Sequence, residues 1–128
     1  MRTRTEIIAA ARGCVGARFR PHGRDPAWGL DCVGVAAIAF EREVVGDYRM
    51  RGGELADIEA RARDLRLCRI APDVAAAGDL VAIAEAGDQL HLAVLTERGF
   101  VDAHAGLRRV VETPGRPANI VAAWEEAG

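Results

Sequence analysis

The sequence predicts an α+β fold, with helices in the first half of the chain and an antiparallel sheet in the second. Apolar residues recur at helical spacing up to Arg66, and from Leu67 onward the period shortens to that of strands. The connections between the later segments are short and marked by glycine, as in Gly78-Asp79, Gly87-Asp88, Arg98-Gly99 and Pro114-Gly115. Helices followed by closely spaced strands form a layered α+β unit. A length of 128 residues suits a single domain, 1–128, with one core.

Thr3-Arg4-Thr5-Glu6 fits a capping box, in which the Thr3 hydroxyl and the Glu6 carboxylate each satisfy an amide at a helix start. Ile7, Ile8, Ala11, Cys14 and Val15 then form an apolar stripe, with Gly16 as the stop. Arg18 to Gly29 contains Pro21, Gly23 and Pro26 and reads as an irregular loop. The segment from Cys32 to Val44 is apolar almost all round, which marks a buried central helix ended by Gly46-Asp47. After a second break at Arg51-Gly52-Gly53, Glu54 to Arg66 is amphipathic. Leu55, Ile58, Ala62 and Leu65 share one face, and Asp57 with Arg61 and Glu59 with Arg63 are spaced to pair on the other. The expected strands are Leu67–Ile70, Asp79–Ala84, Leu90–Leu95, Phe100–Ala103, Arg109–Glu112 and Asn119–Trp124.

Composition excludes several classes of function. Net charge is −2 and the pI is near 5.9, so nothing suggests a general nucleic-acid binder. Every basic side chain is Arg, and most are interleaved with acids as on solvated faces. Half the residues are apolar, yet Glu41 and Arg42 cut the longest apolar run well short of a membrane span. The N-terminus lacks a signal-peptide layout, so the chain is expected to be made in the cytoplasm. Cys14, Cys32 and Cys68 are an odd number at long spacings, which implies one reactive thiol and two structural ones.

The chemistry concentrates at Gly29-Leu30-Asp31-Cys32-Val33-Gly34. A cysteine between a turn and a helix sits where first-turn amides stabilise a thiolate. His91 opens the strand Leu90–Leu95, and a thiol with a histidine is the minimum for nucleophilic catalysis. A tight turn over Glu97-Arg98 pairs Leu95 with Phe100, and His91 then faces His104 while Ala93 faces Asp102. His91, Asp102 and His104 share one face, with Asp102 diagonal to His91. Cys32, His91 and a third group, Asp102 or His104, thus form a candidate catalytic constellation, the third group orienting the imidazole. The same residue types suit zinc, but no ligand spacing supports a metal site.

The chain resembles the NlpC/P60 family of papain-like cell-wall peptidases, especially its small phage- and prophage-associated members. The resemblance runs through Gly13 to Phe19, Gly23-Arg24, Gly29 to Gly34, Gly78-Asp79-Leu80-Val81, His91 to Leu95 and Gly99 to His104, in the family's order. It implies a papain-like fold with Cys32 as nucleophile at a helix N-terminus and His91 as base. It also implies hydrolysis of amide bonds in peptidoglycan stem peptides without a cofactor, with phage tail proteins as further partners. Asp31, Phe19, His22 and Arg24 are the implied substrate-binding or oxyanion-side residues. Two positions depart from the family pattern. Asp102 stands where a histidine is common, and Phe19 stands where a tyrosine hydroxyl is common. A non-catalytic tail or cell-wall binding module with the same fold is the alternative implied by these departures.

Overall fold

The computed structural model describes residues 2–44, 55–85 and 89–126. Helix α1 (Arg4–Gly13) begins with the expected capping box: Thr3 Oγ accepts from the Glu6 amide at 3.2 Å, and Glu6 accepts from the Thr3 amide at 2.8 Å. Ile7, Ala11 and Cys14 are buried. The helix stops at Gly13, short of Gly16, and Val15 therefore leaves the stripe and is exposed. The stretch expected to be wholly irregular contains a small hairpin, β1 (Arg24–Asp25) with β2 (Gly29–Leu30).

Helix α2 (Cys32–Phe40) is buried on nearly all sides, as its uniform apolarity requires. It ends four residues before Val44, because Glu41 turns into the left-handed region at φ 54° and closes the helix. Helix α3 spans Leu55–Asp64, with Ala62 and the following Leu65 buried. Glu59 pairs with Arg69 on the adjoining strand, not with Arg63. The expected breaks at Gly46-Asp47, Arg51-Gly52-Gly53 and Gly87-Asp88, and the helix start at Glu54, lie outside the described residues.

The strands are β3 (Leu67–Ile70), β4 (Leu80–Glu85), β5 (Gln89–Leu95), β6 (Gly99–His104), β7 (Arg109–Pro114) and β8 (Ile120–Glu126). They form one antiparallel sheet in the order β3-β8-β4-β5-β6-β7. One face packs Leu80, Ala82, Leu92, Val94, Val101 and Ala103 with α1 and α2. The other carries Val81, Ile83, Ala93, Leu95 and Ala123, covered in part by the segment around Ala75. Burial on both faces explains why β4 and β5 read as apolar runs and not as clean alternation.

Asp79 is buried and ties the layers together. It accepts from Arg4 at 2.7 Å and from the Ala76 amide at 2.8 Å, anchoring α1 at the start of β4. Cys14 is buried and Cys68 is exposed on β3, so Cys68 does not have the buried structural place expected of it.

Candidate active site

The N-terminus of α2 is assembled by the loop that precedes it. Asp31 is the N-cap and is wholly buried. Its carboxylate accepts from the Gly34 amide at 2.7 Å and the His22 amide at 2.6 Å, and pairs with Arg24 at 3.3 Å. The loop also lies directly on the helix. A Cβ on Gly34 would meet the Gly23 carbonyl oxygen at 2.2 Å, so only glycine permits this approach. Gly34 and Val35 amides are satisfied by Asp31. The Cys32 and Val33 amides have no hydrogen bond to a described residue, so the first turn keeps two donors.

Cys32, the first residue of α2, is half-buried. It lines a cleft of about 220 Å³ together with His91 of β5 and Ala103 and His104 of β6. The expected β5–β6 register is present, with Leu95 opposite Phe100 and Val94 opposite Val101. It brings His91 Nε2 within 2.5 Å of Asp102 Oδ2. Burial alone disfavours a charged imidazole. Hydrogen bonding to Asp102 and Cys32, with their charges, outweighs it and pushes the ring up to about 10. Nε2 is occupied by Asp102, which leaves Nδ1 as the ring nitrogen for the Cys32 thiol. Cys14 has the opposite environment: burial pushes its thiol up to about 11.

Not every expected residue reaches the cleft. His104 lines it, but its Nδ1 accepts from the Leu107 amide at 3.0 Å and so serves the β6–β7 turn; Asp102 is the group that meets His91. Arg24 hydrogen-bonds the Val44 and Gly23 carbonyls as well as Asp31, behind the helix start and away from the cleft lining. Asp31 and His22 lie there too, which places all three in the support of the turn. Phe19 does line the cleft and brings no hydroxyl. Pro21, Glu85, Gln89 and Leu90 also line it and were not anticipated. Gln89 and Leu90 were legible as neighbours of His91, and Glu85 as the register partner of Gln89 across the β4–β5 hairpin.

The fold has a counterpart among solved structures. The crystal structure of the NlpC/p60 domain of the peptidoglycan hydrolase SagA superposes with a TM-score of 0.65 at 20% identity, covering 97% of this chain and 99% of that one. The chain has the NlpC/p60 fold. No family model matches the sequence, and no curated protein matches it. The NlpC/p60 fold here is therefore carried by topology and packing at low sequence identity. Of the motif residues, Phe19, Cys32, His91, Ala103 and His104 line the cleft, whereas Gly13 ends α1 and Gly78 to Val81 lead into β4. Among the described residues no helix is long and apolar enough to cross a membrane.

Proposed function

We propose that the chain is a cysteine hydrolase that cuts amide bonds of bacterial cell-wall stem peptides. The observation that carries this reading is the meeting of Cys32 and His91 at one cleft, with Asp102 buried behind the imidazole and the thiol at a helix start whose Cys32 and Val33 amides have no hydrogen bond to a described residue. The imidazole takes the thiol proton and the thiolate attacks the scissile carbonyl carbon. The resulting oxyanion lies toward the Cys32 and Val33 amides and the positive end of α2. The imidazolium then protonates the departing amine, leaving a thioester. His91 next deprotonates a water that attacks the thioester, releasing the acid and restoring the thiol. Asp102 is a positioning residue: it holds Nε2, and its charge favours the imidazolium.

The peptidoglycan substrate class is supported by the similarity of fold to the NlpC/p60 domain of the peptidoglycan hydrolase SagA together with the motif likeness. The motif likeness to phage-associated members supports a phage- or prophage-derived setting with tail proteins as partners. Phe19 favours the second reading, a binding module with the same fold, because the cleft lacks the hydroxyl common at that position. One experiment separates them. The wild-type protein and its Cys32→Ala variant are incubated with peptidoglycan fragments, and released peptides are identified by mass spectrometry. New amine termini from wild type alone are expected. Identical products from both proteins, or no products, would overturn the hydrolase reading.

A further inference from the structure

Beside the cleft, the sheet places like charges opposite one another. His104 lines the cleft and is the register partner of Arg109 on β7. Arg109 is in turn the antiparallel bridge partner of Arg18. Partners in an antiparallel ladder leave the same face, so His104, Arg109 and Arg18 form a row across three adjacent chain segments. Arg108 is held alongside, its carbonyl accepting from the Phe19 amide at 3.0 Å. All three arginines are exposed, and none has an ion pair with a described residue. Several other arginines are committed to carboxylates: Arg4 to Asp79, Arg12 to Glu112, Arg42 to Glu126. Directly opposed like charges destabilise a sheet, so packing gives no reason for the Arg18–Arg109 pair.

We propose that Arg18, Arg108 and Arg109 form a carboxylate-binding rim that seats an acidic peptide beside Cys32. The inference rests on the hydrolase reading for its substrate class. Glu85, on β4 at the far end of the cleft, repels an anion and so directs the acidic part of the peptide toward β7. Strands lie about 4.8 Å apart, so Arg109 is roughly 10 Å from the His91 strand. An extended peptide advances about 3.3 Å per residue, which sets the bound carboxylate roughly three residues from the scissile bond. A short stem peptide with free carboxylates has that reach.

The test reads binding apart from catalysis. A synthetic stem tetrapeptide with free carboxylates, its fully amidated counterpart and a glycerol-phosphate oligomer are titrated calorimetrically into Cys32→Ala protein. The same ligands are titrated into Cys32→Ala protein that also carries Arg18→Gln and Arg109→Gln. The acid peptide is expected to bind about tenfold tighter than the amide, with the advantage lost in the arginine variant and weakened by salt. Thermal unfolding should show the arginine variant at least as stable as its parent. Equal binding of acid and amide, binding to neither, preference for the phosphate oligomer, or an unaffected arginine variant would overturn the proposal. Wild-type cleavage of both peptides is measured separately. Charge-selective binding without cleavage removes the hydrolase reading alone, and cleavage without charge selectivity removes this one alone.

Discussion

Asp102→Asn keeps the shape of the group facing His91 Nε2 and removes its charge. In the structure the contact is 2.5 Å, Asp102 is buried, and its second oxygen, Oδ1, has no hydrogen bond to a described residue. The carboxylate therefore spends its one strong contact on the imidazole. A charge-assisted hydrogen bond contributes about 1.5–3 kcal/mol, and one pH unit corresponds to about 1.4 kcal/mol. The substitution should bring the imidazole down by roughly one to two pH units from about 10. A weaker imidazolium holds the Cys32 thiolate less well, so alkylation of Cys32 by iodoacetamide should need correspondingly higher pH. The assay is the pH profile of alkylation rate in a Cys68→Ser background, since Cys68 is exposed and Cys14 is buried. Hydrolysis at neutral pH should fall with it, and Asp102→Glu should restore part of the profile. Superimposable profiles for wild type and Asp102→Asn would refute the coupling. A larger displacement in His104→Ala would instead assign the orienting role to the histidine, against the geometry.

The raised imidazole also sets a stability window. Because folded His91 holds its proton to about 10 against an ordinary 6.5, the stabilisation it contributes is complete below about 6.5 and lost as pH rises toward 10. Urea unfolding at pH 6 and pH 9.5 should show wild type losing more stability across this range than His91→Gln. Asp31→Ala removes the N-cap and leaves Arg24 and two amides without their carboxylate, which should cost about 3 kcal/mol and lower the Tm by roughly 10 °C. Differential scanning calorimetry checks this, with Asp31→Asn expected to lose less. Gly34→Ala forces a methyl against the Gly23 carbonyl and should cost about 1–3 kcal/mol, with the alkylation rate of Cys32 altered as the loop is pushed off the helix.

Local patterns carried much of this architecture. The Thr3–Glu6 capping box and the order of helices and strands follow from neighbouring residues, and so does the β5–β6 register, which a short turn dictates. The ends of elements were harder to read. Helix α2 stops at Phe40 because Glu41 adopts a left-handed conformation, a choice that a charged residue does not advertise. Val15 fell off its stripe for the same kind of reason, a helix that ended a turn early.

The site divides along the same line. The sequence by itself determined that a thiol stands at a helix start, that His91 lies on a strand, and that Asp102 lies diagonal to it, because each depends on local periodicity and turn length. Only the tertiary structure set which of Asp102 and His104 meets the imidazole, since that depends on which side chain a turn amide claims: Leu107 takes His104, and His91 is left to Asp102. It likewise turned Arg24 and His22 into supports of Asp31, and set Arg18 opposite Arg109. Those contacts join segments far apart in the chain or around an irregular loop, where no periodicity says which way a side chain faces.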